Sequence, residues 1–297
     1  MSERTVIAVH GALRDDIGTL RTVRPLPTPS LPGLDPFLLL NHHGPQVYPP
    51  RNQGLPFGPH PHRGFETVTC ILDGSLAHLD SGGHRSIIDA GGVQWMTAGR
   101  GLVHAEVSPT RFRETGGPLE ILQLWVNLPA ARKMVEPRYI GLQQADLPTR
   151  HLTTTPGHGV RVTAMAGVWD GLAGPVVAPS GVAMALLALD PGATATMAVP
   201  PGRELLFYVV RGEVRMGDGT TGHLVPTFAL AQLDREGDMI TVTAPTPAVV
   251  LIGHGTPLGE PVVAQGPFVM NTRDEIRQAM ADYQAGRFGW VDVPDVI

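Results

Sequence analysis

Residues 59–74, PHPHRGFETVTCILDG, set two histidines, His60 and His62, one residue apart and just ahead of an alternating stretch that ends in Asp73-Gly74. The β-branched and aromatic residues of FETVTCIL predict a strand, and Asp-Gly followed by SLAHLD predicts a hairpin. Side chains two apart on a strand project to one face, so the two imidazoles point together. An isolated H-x-H pair is weak evidence of a metal site. The segment GRGLVHAEVSP strengthens it, because His104 and Glu106 have the same spacing. Two strands facing each other across a barrel would bring three imidazoles and a carboxylate to one point. Such a donor set suits iron, manganese, nickel, copper or zinc better than calcium or magnesium, with one or two positions left open.

Working outward, turn signals and short alternating runs continue along the chain. GGVQWMTAG, LEILQLWVNLP, GVRVTAMAG, GVAMALLALDPG, ELLFYVVRGEVRM and DMITVTAP all read as strands. With 36 glycines and 29 prolines in 297 residues, frequent turns between short strands are expected, and the fold class is all-β. A chain of this length argues for about two domains. The charged, proline-containing stretch beginning at Pro129, with a short helix expected at PAARKMV, bridges them, giving residues 1–140 and 141–297. One helix is well marked, TRDEIRQAMADYQAG: Thr272 and Glu275 form a capping box, Gly286 supplies the stop, and Ile276, Met280 and Tyr283 share a face expected to pack.

A faint repeat relates the halves. With Gly74 placed over Gly212, PHPHRGFETVTCILDGSL lies over MAVPPGRELLFYVVRGEV, and Glu66 falls on Glu204. After a short insertion DAGGVQWM lies over REGDMITV. This overlay puts Ala198 and Pro200 in place of the first histidine pair and Val250 and Ile252 in place of His104 and Glu106. The second half is therefore expected to hold no metal.

Together these segments resemble a known family. Gly54, His60, His62, Glu66 and Gly74 follow the first cupin motif with one extra residue before the last glycine, and Gly101 to His104 matches part of the second. DPFLLLN, PHPHRGFETVT, VQWMTAGRGLVHAE, NLP and GPFVMNTRDEIRQAMADYQAGRFG, spread over residues 35–289, are more narrowly similar to the pirin family of bicupins. The resemblance implies two tandem cupin barrels (double-stranded β-helix, or jelly-roll) packed face to face, with a short C-terminal helix. It implies one divalent metal, iron(II) first and nickel, manganese or zinc as alternatives, in the N-terminal barrel on His60, His62, His104 and Glu106. In generic cupins the first-motif glutamate is a ligand, whereas in pirins the carboxylate comes from the second motif, so Glu66 falls outside the ligand set. Some members resemble flavonol dioxygenases that open quercetin with O2; others are described as iron-dependent redox sensors that act on a protein partner such as a transcription factor. Glu106 would serve the first role as a catalytic proton acceptor, with a small aromatic substrate and O2 as reactants.

The remaining features bound the context. A formal charge of −5 without a basic run argues against direct nucleic-acid contact. The longest apolar run, VAMALLAL, is far below the ~18 residues of a spanning helix, no signal-peptide core is visible, and Cys70 stands alone. A cytoplasmic monomer without membrane contact is expected. Cys70 reads as a small buried hydrophobe, and Trp95 and Met96 as core residues on an alternating strand. His42 and His43, beside Gly44-Pro45, read as a solvated turn, with a place at the pocket entrance as the alternative. His78, His84 and His223 read as surface residues and His254 as structural. Arg63 and Arg100 flank the ligands and read either as partners that hold Glu66 or Glu106 or, equally, as ordinary surface charges.

Overall fold

Alternation of apolar and polar residues over short strands gives each strand one face to bury, and the stable solution is a pair of sheets closed on each other. A computed structural model, describing residues 2–155, 158–217 and 222–294, shows this arrangement twice. The first unit comprises Arg14–Val23, Phe37–Ala145 and Leu258–Ile297. Its smaller sheet runs in the order Phe57–His62, Leu102–Val107, Ser75–Asp80, Arg85–Asp89. Facing it are Arg138–Leu142, Val93–Thr97, Phe65–Asp73, Gly117–Asn127 and Phe37–Tyr48, all antiparallel.

The second unit comprises Met1–Leu13, Arg24–Pro36 and Asp146–Pro257 and repeats the pattern. Its smaller sheet is ordered Thr194–Ala198, Met239–Thr243, Glu213–Met216, His223–Pro226; its larger one contains Ala229–Leu233, Glu204–Arg211, Ala248–Gly255 and Ala183–Leu189. The faint repeat is thus a repeat of topology. Gly74 and Gly212 both take positive φ, 86° and 75°, at matching hairpin corners. A Cβ at either would strike a backbone carbonyl, of Pro118 or Pro247, so both positions require glycine.

Two boundaries differ from the sequence expectation. The units are not contiguous blocks of 1–140 and 141–297, because the chain ends are exchanged. Val6–Gly11 pairs with Ala229–Leu233 at the edge of the second unit, the place that Arg138–Leu142 fills beside Val93–Thr97 in the first. Alternation shows that a strand exists but not which edge it completes. The late part of the overlay also shifts. By strand order the counterpart of Leu102–Val107 is Met239–Thr243, and Val250 and Ile252 belong to the counterpart of Gly117–Asn127. The second barrel still lacks ligands there, since MITVT carries no histidine or carboxylate.

The interiors diverge. Leu187, Met197, Phe207, Val214, Ile240 and Ile252 belong to one continuous apolar core in the second barrel, each such side chain worth roughly 1.5–3 kcal/mol on burial. In the first barrel Ile71, Leu76, Ile88, Leu119 and Ile121 form a smaller cluster. Its other buried residues mix apolar side chains such as Phe65, Leu79 and Leu124 with polar ones such as His62, Thr69, His104 and Glu106.

The C-terminal helix Arg273–Gln284 begins with the expected capping box on Thr272 and Glu275. Its buried face is Ile276, Ala279 and Asp282, whereas Tyr283 stays 41% exposed. The acid turns inward because it pairs with buried Arg63. At PAARKMV only a single 3₁₀ turn forms, Ala130–Arg132, and a six-residue helix, Thr110–Thr115, is too short to show a period. No helix among the described residues is long and apolar enough to cross a membrane.

The N-terminal exchange has a specific fastening. Arg4, 3% exposed, donates to the carbonyls of Gly237, Arg203, Asp234 and Pro200 at 2.8–3.3 Å. Arg4→Ala leaves these acceptors without their cation, and we expect a stability loss of about 2–4 kcal/mol by urea denaturation. A change below about 0.5 kcal/mol would show that the fastening carries no weight.

Candidate metal centre

The antiparallel pairing of Phe57–His62 with Leu102–Val107 sets His60 opposite His104 and His62 opposite Leu102. Directly opposed residues on a sheet face lie close enough for their rings to meet. The ring centroids are 4.3 Å apart for His60 and His104, 4.8 Å for His60 and His62, and 4.9 Å for His62 and His104. One nitrogen from each falls within 4.8 Å of the others, the sole such histidine/cysteine/carboxylate cluster of three among the described residues.

Surrounding groups fix how the rings present themselves. His60 Nδ1 lies 2.7 Å from the Gly58 carbonyl and His62 Nδ1 3.3 Å from that of Pro267, so each Nδ1–H donates to an acceptor and Nε2 keeps its lone pair. His104 is fully buried, and neither ring nitrogen has a hydrogen-bond partner among the described residues. Burial drives the His62 pKa down to about 3, with His60 adding to the effect and the Pro267 carbonyl opposing it. Burial, then the neighbouring imidazoles, holds His104 well below the ordinary histidine range. Both rings are thus kept in the neutral form that binds metal.

Glu106 follows two residues after His104, past a register shift, and is 3% exposed. It stands outside the close cluster of three. Thr69 Oγ1 donates to its Oε1 at 2.8 Å and Gln123 Nε2 to its Oε2 at 2.7 Å. Thr69 and Gln123 are cross-strand partners on the larger sheet. They were not picked out from sequence, although their alternation in FETVTC and LQLWVN puts them on one face. Glu66 has the opposite parity from Thr69. It is buried, and its Oε1 accepts from Trp95 Nε1 at 3.0 Å and Thr97 Oγ1 at 2.8 Å, which ties two strands together away from the histidines.

Several expectations change. His42 and His43 are not in a solvated turn; both are buried in the twelve-residue strand Phe37–Tyr48, and the register irregularity there accommodates Gly44-Pro45. His42 Nε2 lies 2.8 Å from Glu120 Oε1, and His43 Nδ1 2.8 Å from Thr22 Oγ1. His78 is buried rather than exposed, 3.0 Å from Asp80 and stacked on Tyr139 at 3.8 Å. His84 and His223 are exposed as expected, and His254 packs against Trp169. Trp95, Met96 and Cys70 are all buried. Neither flanking arginine is paired with Glu66 or Glu106: Arg63 pairs with Asp282, and Arg100 with Glu136 at the surface.

An imidazole cluster with a fully buried, unpartnered ring fits a metal ion. Two barrels of this topology, one with a histidine cluster on its smaller sheet and one filled by apolar side chains, define a two-domain cupin. Residues 19–126 match the family described as Pirin, and residues 184–289 match the Pirin C-terminal cupin domain. A Pseudomonas aeruginosa protein provisionally named quercetin 2,3-dioxygenase is 41% identical over 255 residues, 86% of this chain and 87% of the other. Pirin from Homo sapiens is 38% identical over 293 residues, 97% and 95% of the two chains. A solved structure of quercetin 2,3-dioxygenase from Acinetobacter baumannii has a TM-score of 0.86 and 34% identity, covering 98% of this chain and 100% of that one. The chain belongs to the pirin family.

The depressed histidines make a pH prediction. A base whose folded pKa lies below its unfolded value of ~6.5 destabilises the fold as pH falls, because the unfolded chain takes up the proton first. The metal-free protein should therefore lose stability between about pH 7 and pH 5, by up to ~1.4 kcal/mol per pH unit for each such ring. In His104→Gln the slope should be shallower. Urea midpoints at the two pH values measure this, and an equally steep fall in the variant would refute it.

Proposed function

We propose that this pirin-family protein is a metal-dependent dioxygenase that opens a flavonol such as quercetin with O2, its metal held by His60, His62, His104 and Glu106. The observation that carries the reading is His104, fully buried with both ring nitrogens lacking hydrogen bonds and facing two rings whose Nε2 atoms are free. The dioxygenase names of the related proteins support the reaction class. Iron(II) is the metal we assign, and nickel, manganese and zinc also suit imidazole and carboxylate donors.

When bound, the metal supplies a Lewis acid and a template for an enol oxygen and O2. The chain's own residues do the rest. Glu106 accepts the flavonol hydroxyl proton on a carboxylate oxygen, while Thr69 Oγ1 and Gln123 Nε2 hold that carboxylate in one orientation. Trp125, half-buried with its ring 5.3 Å from His62 and 4.4 Å from Phe65, offers an aromatic wall to a planar substrate. Phe65 is fully buried behind it and keeps water from that side of His62.

Two measurements follow. Elemental analysis of protein reconstituted anaerobically with Fe(II) should give one metal per chain, and none in His60→Ala/His104→Ala. Quercetin and O2 should then be consumed with release of carbon monoxide, a turnover lost in Glu106→Ala and His62→Ala. If the intact, metal-loaded protein binds no flavonol and consumes no O2, the dioxygenase reading fails for this substrate class. A comparison of proteins captured by the ferrous and ferric forms then tests the alternative, a redox-sensing regulator.

A further inference from the structure

Arg63 lies between His62 and Gly64, at the turn where the first histidine strand ends, and it is 5% exposed. Its guanidinium is fixed at three points. Nη1 donates to Asp282 Oδ2 on the C-terminal helix at 2.8 Å, Nε donates to the Arg100 carbonyl at 2.6 Å, and Cζ sits 4.6 Å from the centroid of the Phe288 ring. Arg100 belongs to the turn that leads into Leu102–Val107, which carries His104 and Glu106. One buried side chain therefore spans the ends of both strands that bear the candidate ligands.

The main chain repeats the connection. Arg63 N donates to the Pro267 carbonyl at 3.4 Å, and Val269 N donates to the Arg63 carbonyl at 3.1 Å. The Pro267 carbonyl is also the acceptor 3.3 Å from His62 Nδ1. Gly64 packs so closely that a Cβ there would lie 2.0 Å from the Val269 carbonyl oxygen. Lys133 Nζ, itself 1% exposed, donates to the carbonyls of both Gly64 and Val269. Asp282 is secured in turn, since its Oδ1 accepts from Gln278 Nε2 at 2.8 Å and Arg287 Nη1 at 2.7 Å. The chain's last segment thus supplies both the acceptor for His62 and the carboxylate that locks the neighbouring arginine.

We propose that Arg63 and Asp282 are positioning residues for the metal site: the ion pair between them clamps the His62 turn against the C-terminal segment and so holds Nε2 of His62 in register with His60 and His104. This rests on the reading of those histidines as metal ligands. Without the Asp282 carboxylate, Arg63 would be a buried cation lacking its counter-charge. The turn would then shift to solvate it, and the Pro267 contact that orients His62 would shift as well. Loss of a direct hydrogen-bond partner of a ligand typically weakens metal binding 10–100-fold. Acting one residue removed, Asp282 should be worth about tenfold.

The test uses Co(II) as the probe on chelator-stripped, full-length protein, with affinity read by competition against a chromophoric chelator and geometry by the visible d–d bands. Asp282→Asn and Asp282→Ala should weaken Co(II) binding about tenfold and alter the bands, and Asp282→Glu should restore part of the affinity. Ile276→Ala, which loosens the same helix without touching Arg63, serves as the matched control and should leave both readouts unchanged at a similar loss of thermal stability. Unaltered Co(II) affinity in the Asp282 variants, or equal weakening in Ile276→Ala, would overturn the positioning role while leaving the ligands intact. Wild-type protein that takes up no Co(II) would overturn the ligand reading and this proposal with it.

Discussion

Everything at the site depends on one register, the antiparallel pairing that sets His60 opposite His104. Side chains on a strand alternate faces, so a slip of one residue would turn His104 and Glu106 away from His60 and His62 and bring Val103 and Ala105 into their place. The register is held from both sides. Leu102–Val107 also pairs with Ser75–Asp80, which sets Asp80 beside His104 and His78 beside Glu106. The strand with His104 and Glu106 is therefore central to its sheet, and its backbone hydrogen bonds fix the side-chain directions. His104 differs from the other two rings: it gives up water on burial and receives no hydrogen bond from the described residues in return. That unbalanced cost is on the order of 1–3 kcal/mol for a buried polar group, and a ligand on the ring would offset it.

The two barrels show how one framework serves opposite ends. Strand order, hairpin glycines and sheet sizes correspond, yet the strand opposite Thr194–Ala198 presents Ile240 and Val242 inward where its counterpart presents histidine. Filling a barrel with apolar side chains is the cheaper solution in free energy, since each contributes to stability without needing a partner. The first barrel forgoes part of that contribution. It compensates with hydrogen bonds between its buried polar side chains, Thr69 and Gln123 on Glu106 beside the cluster, and Trp95 and Thr97 on Glu66 farther away. The polar part of that interior is consequently specified residue by residue, whereas an apolar core tolerates exchange of similar volumes.

The strands and the cluster of His60, His62 and His104 were legible in the sequence because both are written in local spacing. Period-two alternation marked Phe65–Asp73 and Glu204–Arg211, and the H-x-H and H-x-E spacings marked the faces that meet. The misreadings share one cause, dependence on partners distant in the chain. Val6–Gly11 finds its sheet more than two hundred residues away. His42 and His43 look like turn residues beside Gly-Pro, but Glu120 and Thr22 draw them into a strand. His78 reads as a hairpin residue until Tyr139 stacks on it. Arg63 flanks His62 in the sequence, but its carboxylate is neither Glu66 nor Glu106; it lies on a helix 219 residues later.

Lys133 carries the same point to its limit. It is the chain's single lysine, and composition alone suggests only a preference for arginine codons. In the fold its Nζ is buried and donates to Gly64 O at 2.8 Å, Asn127 Oδ1 at 2.6 Å and Val269 O at 3.0 Å. Burial lowers its pKa to about 8, with Glu260 and Glu275 opposing. Three acceptors converge on one nitrogen from three separate segments. A compact ammonium with three donors answers that geometry, and a planar guanidinium, with its donors spread along a fork, does not. The direct acceptors are neutral oxygens, and the charges of Glu260 and Glu275 act only from outside that contact, so the cost of burying the cation is only partly offset. Such a group is kept where a fixed junction matters more than stability. Here the junction joins the end of Gly117–Asn127, the turn after His62 and the strand Phe268–Met270, so the segments that frame the first histidine pair meet at one buried charge.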